Sequence, residues 1–393
     1  MTPADLDQLI ADDLADRAAA HQLRYRRVVE HLSATRVRID GAEYVNFASN
    51  DYLGLTHHAR VIAAAMESLQ SDGLGSGAAA LITGYTTRHA TGEAAIAAWK
   101  GTEDAVLLPS GYQANHAAVQ TLAALGEKRG GVRFLLDKLA HASLLDAVRA
   151  TGAEFRVFPH NHLPKLERLL ADAPANQLQV VVTESIFSMD GDAADLVGLA
   201  AIKRKRPYVL LLDEAHGTGV YGEDGAGYAA EMGMRGLADV TVVTLSKAVG
   251  ASGGAVCASR NFCAALVNYG RAFIYSTSIP PMIAAAATAA IDVMREEPQR
   301  QSRVRELARR VRQAVASSGL SIAPGDSPII PIILGDEARA LEASRRLLEA
   351  RLLVPAVRPP TVAKGTSRLR LTLSCEHTDQ DVRELLEVLT EIA

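Results

Sequence analysis

Apolar residues recur along this chain at two periods, and the change of period divides it. From Pro3 to about Glu30, Leu6, Ile10, Leu14 and Ala18 repeat at three-to-four spacing among acids, which predicts a helix. Val37 to Val45 reads as a hairpin turning at Asp40-Gly41. Ala59 to Ser71 and Glu93 to Lys100 are helical in pattern, with Trp99 placed in the core. From Ala105 onward short apolar runs alternate with helical stretches, the rhythm of a mostly parallel sheet. A further strand is expected at Gly254–Ala258, then one long charged helix from about Met282 to Ser317. The C-terminal part alternates again: strand Ile329–Leu334, helix Glu337–Arg351, Val354–Val357, a stiff turn at Arg358-Pro359-Pro360-Thr361-Val362, and strand Arg368–Leu373.

In parallel sheets ligands gather beyond the carboxyl ends of the strands. The residues just past each apolar run therefore matter most. Ala105–Leu108 is followed by Ser110-Gly111-Tyr112 and a helix, Phe134–Asp137 by His141, and Gln179–Thr183 by Glu184 and Ser188. Tyr208–Leu212 leads to Asp213 and His216, and Val240–Val243 to Thr244 and Lys247. Five consecutive strand ends thus deliver polar groups to one rim.

Composition narrows the field. The chain has 393 residues, enough for two or three structural units, and a formal charge of −4, which argues against a nucleic-acid surface. Cys257, Cys263 and Cys375 have no C-x-x-C spacing, which suggests reduced thiols in a cytoplasmic protein and no zinc site. No metal site is expected. The apolar stretch from Pro280 to Met294 is too short and Ala-rich to span a bilayer, and no secretory signal opens the sequence. Asp213-Glu214-Ala215-His216 matches a helicase box, but no Gly-Lys-Ser or Gly-Lys-Thr phosphate loop accompanies it. Ser-x-x-Lys chemistry fails likewise, because S-D-N and K-T-G partners are missing. Gly73-Leu74-Gly75-Ser76-Gly77 comes after a helical segment and lacks the dinucleotide pattern; it reads as small residues permitting close backbone approach.

A lysine and an aspartate at neighbouring strand ends suit one chemistry. The amine forms a Schiff base with an aldehyde cofactor, and the carboxylate keeps the cofactor's ring nitrogen protonated. That cofactor would be pyridoxal 5′-phosphate. Lys247 and Asp213 take those roles. Ser110, Gly111 and Tyr112, at a helix start, suit its phosphate. His141 would lie over the ring, His216 would reach the ring hydroxyl, and Ser188 would support that side. Arg370, on one strand face with Arg368, offers a planar fork for a carboxylate. Arg24, clustered with Arg26 and Arg27, is either a solvated helix end or a cationic mouth for an anionic substrate. Glu184 is either a substrate contact or a satisfied strand-end acid.

Assembled, these residues resemble the α-oxoamine synthases, fold-type I pyridoxal-phosphate enzymes. The resemblance runs from about Leu23 to Val388. It rests on Asn46–Leu55, Ser188-Met189-Asp190-Gly191-Asp192, Asp213-Glu214-Ala215-His216-Gly217-Thr218-Gly219, Tyr275-Ser276-Thr277-Ser278, and Arg358–Val362, the last favouring the biotin-pathway branch. It implies a seven-stranded, mostly parallel sheet in a large domain with a smaller α+β C-terminal domain. The implied division is a helical arm and hairpin over 1–50, a cofactor-binding domain over 51–290, and a small domain over 291–393. Also implied are Lys247 as Schiff-base lysine, Thr244 among the cofactor contacts, and Ser276 or Thr277 reaching the phosphate of a neighbouring subunit. The site would therefore lie in a homodimer. Arg24, Asn50, Glu184, Thr361 and Arg370 match substrate-contacting positions. The implied reaction condenses L-alanine with pimeloyl-CoA or a pimeloyl carrier protein, with loss of carbon dioxide. The alternatives are a glycine-using reaction of the same family or a silent partner subunit. Departures from the family pattern, Gly77-Ala78-Ala79-Ala80 and Thr91-Gly92-Glu93, leave Lys247 and Asp213 untouched.

Overall fold

Among the residues that the computed structural model describes, 2–20, 22–24, 26–174 and 176–392, all five apolar runs are strands of one sheet. Its order is Asp104–Leu108, Gly254–Ala258, Val240–Thr244, Val209–Asp213, Leu178–Glu184, Val132–Asp137, Glu154–Phe158. Neighbours from Val240–Thr244 to Glu154–Phe158 pair in parallel. Gly254–Ala258 is antiparallel to both its neighbours. Every residue of Val240–Thr244 is buried, as expected of a strand covered on both faces. Glu154–Phe158 was not legible as a strand. It is the sheet edge, mostly exposed, and its polar positions hide the apolar ones.

Helices cover both faces. Gly111–Glu127, Ala142–Thr151 and Arg260–Tyr269 pack Val119, Leu144 and Leu266 into one core with Val180 and Val242. On the other side Ala59–Asp72, Thr87–Lys100 and Pro281–Glu296 surround Ile96, Trp99 and Ile291. Trp99 is fully buried and donates its indole N–H to Asp224 O at 2.9 Å, so its one polar atom is satisfied.

The hairpin forms as expected. Arg36–Ile39 and Ala42–Asn46 pair antiparallel around Asp40 (φ 49°) and Gly41 (φ 80°), the two positive φ values of a tight primed turn. Leu352–Leu353 joins it in parallel and ties the N-terminal segment to the C-terminal part. There an antiparallel sheet runs in the order Ser321–Ile322, Ile329–Gly335, Ser367–Thr372, Ala356–Val357. Gln299–Ser317, Glu337–Glu349 and Asp379–Ile392 are its helices.

Two sequence expectations are corrected. The first helix ends at Ala19, not near Glu30, and buries none of its residues; beyond Ala18 no apolar position continues the stripe. His21 and Tyr25 of that stretch lie outside the described residues. The expected long helix from Met282 to Ser317 is two, Pro281–Glu296 and Gln299–Ser317. Pro298 lies between them, and its ring removes the N–H that would continue the first.

Parallel pairing brings the carboxyl ends of the strands to one rim, and the reversed strand starts there, with Gly254 opposite both Thr244 and Leu108. A Cβ on Gly254 would lie 2.7 Å from Gly111 N, so only glycine lets the helix start rest against the sheet.

Candidate active site

A cavity of about 210 Å³ opens on this rim, and Lys247, Asp213, His141, Glu184, Thr244, Ser110, Gly111 and Tyr112 all line it. The helix Gly111–Glu127 points its N-terminus there. Ser110 caps it, with Oγ accepting from Gln113 N at 3.1 Å. The first-turn N–H groups of such a helix lack intrahelical acceptors and favour an anion. A Cβ on Gly111 would press on Thr244 at 3.2 Å, so the close approach needs a glycine. Thr244 Oγ1 lies 2.9 Å from Ser246 Oγ, which also lines the cavity.

Lys247 lies three residues past the strand Val240–Thr244. Its Nζ is 2.8 Å from His216 Nε2. Burial lowers its pKa to about 8, although Asp213 and Glu184 pull the other way. Near physiological pH the amine therefore has a larger neutral, nucleophilic fraction than an ordinary lysine. Asp213 ends the next strand. Its Oδ2 accepts from Asn115 Nδ2 at 2.8 Å and its Oδ1 from Ala215 N at 2.9 Å. These donors satisfy the carboxylate in a buried place. Asn115 also donates to Ser143 Oγ at 2.9 Å, and Ser143 Oγ is 2.7 Å from His141 Nδ1. Burial lowers the pKa of His141, so the ring stays neutral. Glu184 stands in register with Asp213, and burial, reinforced by that neighbour's charge, pushes its pKa well above the usual range.

Further out, Arg370 donates Nε to Ser188 O at 2.8 Å and its Nη1 and Nη2 to Asn50 Oδ1 at 3.2 and 3.3 Å. Arg368, on the same strand face, pairs with Asp190. Both arginines thus meet the Ser188–Asp192 loop, and it is the Ser188 carbonyl that makes the contact. Behind Asp213, the buried pair Lys100 and Glu214 fixes the turn, with Glu214 Oε1 accepting from Ala229 N at 2.8 Å.

Not every expected residue reaches the cavity. Ser276 and Thr277 stand outside its lining: Ser276 Oγ accepts from Gln113 Nε2 at 3.2 Å, and Thr277 is bridged to Ala79. Arg24 and Thr361 find each other instead, with Nη2 donating to Oγ1 at 2.9 Å. They meet beside a second groove of about 510 Å³, lined by Arg24, Arg27, Arg345 and Arg358. Asn115, Ser143, Ser246 and Tyr52 were missed. Asn115 carried a readable signal: it lies one helical turn beyond Gly111, on the same face.

His160 was missed too. It sits between Asp137 Oδ1 (3.0 Å) and Asp192 Oδ2 (2.7 Å), against the edge of Phe187. Burial alone would lower its pKa, but the two carboxylates outweigh it and raise the value to about 10. A raised histidine pKa stabilises the fold fully below the unfolded value near 6.5, and that contribution is lost as pH rises through about 10. His160→Gln is therefore expected to cost about 1–3 kcal/mol at pH 6.5, with the gap closing by about pH 10. Urea melts of both proteins across that range check it; a pH-independent gap contradicts the charged clamp.

The residues fit pyridoxal phosphate. An anion-binding helix start, a buried carboxylate and a lowered-pKa amine share one cavity. Buried Asn115 Oδ1 and Glu184 Oε1 have no partner among the described residues. Comparison with known proteins agrees. Residues 42–389 match the family model "Aminotransferase class I and II". The 8-amino-7-oxononanoate synthase of Methylococcus capsulatus is 42% identical over 97% of both chains. The Sphingomonas wittichii serine palmitoyltransferase superimposes with a TM-score of 0.91 at 32% identity, covering 99% of this chain and 97% of that one. The Francisella tularensis 8-amino-7-oxononanoate synthase gives 0.77 at 26%, covering 88% and 97%. The chain belongs to the 8-amino-7-oxononanoate synthase family, within the pyridoxal-phosphate-dependent class I and II aminotransferases.

Proposed function

We propose that this enzyme condenses L-alanine with a pimeloyl thioester, on CoA or a carrier protein, to give 8-amino-7-oxononanoate, carbon dioxide and the free thiol. A carbon–carbon bond forms between the alanine α-carbon and the thioester carbonyl. The thiolate leaves, the alanine carboxylate departs as carbon dioxide, and a proton takes its place. The observation that carries the reading is one cavity holding Lys247 and Asp213, with Arg370 beside it, in a chain that matches a named synthase end to end.

Pyridoxal phosphate supplies an aldehyde for the amine and a protonated ring that withdraws electrons from the α-carbon. The protein's part is positional and electrostatic. Ser110, Gly111, Tyr112 and Thr244 would hold the phosphate end. Asp213, doubly hydrogen-bonded, would hold the ring nitrogen's proton, and His141 would cover the ring face. His216 and Ser188 would flank the hydroxyl side. Lys247 would take the α-proton, for which a pKa of about 8 is well placed. Arg370, with Asn50, would orient the alanine carboxylate. Arg24 and Thr361, beside the arginine-lined groove, would meet the anionic acyl carrier.

Exposed Leu74, Ile82 and Tyr275 lie in the segments around Ala79 and Thr277, and a second copy covering them would set Ser276 or Thr277 at its partner's phosphate. We therefore read the enzyme as a homodimer, working in the cytoplasm. Among the described residues no helix is long and apolar enough to cross a membrane.

The structural likeness to a serine palmitoyltransferase makes amino acid and acyl length the properties to test. Thiol release should be fastest with alanine and pimeloyl-CoA, by about tenfold or more over glycine, serine or palmitoyl-CoA. Mass spectrometry should find 8-amino-7-oxononanoate. A preference for serine with a long acyl chain would overturn the assignment.

A further inference from the structure

Tyr52 is fully buried, and its hydroxyl is held from two sides. Oη lies 2.6 Å from His216 Nδ1 and 3.2 Å from Asn50 Oδ1. His216 Nε2 in turn lies 2.8 Å from Lys247 Nζ, and Asn50 Oδ1 accepts from both Nη atoms of Arg370. The result is one unbroken chain, Lys247–His216–Tyr52–Asn50–Arg370, drawn from separate parts of the fold.

The chemistry of its members gives the chain two arrangements. A charged lysine can only donate and an amide oxygen can only accept. With Lys247 protonated, every bond must run one way: Nζ donates to Nε2, Nδ1–H donates to Oη, and the phenol donates to Asn50. With Lys247 neutral, its lone pair accepts from Nε2–H, and the phenol turns to donate to Nδ1. The two arrangements differ by one proton, exchanged with solvent, and by the histidine tautomer. His216 stays uncharged in both, because burial and then Lys247 and Arg370 hold its pKa well below the usual value. The phenol likewise keeps its proton, burial raising its pKa to about 12. The charged or titratable groups bearing on this chain are Asp213, Glu184, His141 and Arg370.

We propose that Tyr52 is a positioning residue whose reversible hydroxyl couples the occupancy of Arg370 to the protonation of Lys247. A substrate carboxylate engaging the Arg370 fork withdraws its donors from Asn50 Oδ1. That oxygen then accepts the phenol's proton more readily, which favours the arrangement with the lysine end protonated. The reaction needs such a link. Lys247 gains and loses a proton in each turnover, and the group on Arg370 is the one that departs as carbon dioxide. The inference rests on Lys247 as the cofactor-holding lysine and on Arg370 as the carboxylate site, not on alanine or the pimeloyl chain.

Two measurements test it. In the cofactor-free protein, nitrogen-15 NMR of His216 should show a tautomer change, from Nδ1–H to Nε2–H, as pH rises through about 8; one tautomer throughout overturns the proposal. In the holoenzyme, propionate can occupy Arg370 without an amine to displace Lys247. It should raise the pH midpoint of the cofactor's visible band, and Tyr52→Phe should at least halve that rise while leaving propionate affinity within about twofold. An equal rise in both proteins, or none in the wild type, overturns it. Failure of the protein to develop any visible band would instead strike the lysine assignment, and the NMR result would still judge the chain.

Discussion

Lys247→Ala is expected to lower turnover by about 10⁴-fold or more. Two functions leave with one side chain. The amine that holds the cofactor is lost, and so is the base placed to take the α-proton. No neighbour is placed to replace it: the pKa of His216 is held well below the usual value, that of His141 is lowered by burial, and burial pushes Glu184 toward its neutral form. The fold should survive. The one hydrogen bond of Lys247 Nζ is with His216, and the Asp213 carboxylate keeps its donors Asn115 and Ala215 when the amine is gone. Melting temperature should fall little, while thiol release collapses. Borohydride should fix the cofactor covalently to the wild type and not to the variant, read by intact mass. A Lys247→Ala protein with near-normal turnover would reject the assignment.

Much of this site was legible because the sheet is parallel. Once Ala105–Leu108, Phe134–Asp137, Gln179–Thr183, Tyr208–Leu212 and Val240–Val243 are read as strands, their carboxyl ends must share a rim, and the residues after them must meet. That rule alone yields Lys247, Asp213, His141 and Glu184. The hidden residues have other origins. Asn115 and Ser143 lie inside helices, where a polar residue is usually solvated; here they bond Asp213 and His141. Tyr52 sits among Phe47, Leu53 and Leu55 and is buried as they are, while its hydroxyl serves the site, and no local pattern marks that second role. Arg24 and Thr361 were read separately. Their contact joins residues 337 positions apart, and no local pattern encodes that. The edge strand Glu154–Phe158 failed for a different reason: a strand with one wet face and no second neighbour loses the continuous apolar run that marked the others.

The second large effect separates two adjacent acids. Asp213→Asn should lower turnover by about 10³-fold, whereas Glu184→Gln should stay within about tenfold of wild type. The carboxylates stand in register on neighbouring strands, and two buried charges that close cannot both persist. The surroundings decide which one keeps its charge. Asp213 receives N–H bonds from Asn115 and Ala215, while Glu184 Oε1 has no partner among the described residues and burial drives that acid neutral. An amide at 213 removes the charge on which the ring nitrogen's proton depends; an amide at 184 replaces a neutral acid with a neutral near-isostere. Stability should move the opposite way. Because the folded pKa of Glu184 lies above its unfolded value, the unfolded chain releases a proton that the native state retains, and stability falls as pH rises from about 4.5 toward the folded pKa. Glu184→Gln removes that penalty, so its cofactor-free form should melt higher than wild type at about pH 7 and converge with it at about pH 4. Equal losses of turnover from both amides would show that the charge is shared between the two acids, and the ring-nitrogen role could then no longer be given to Asp213 alone.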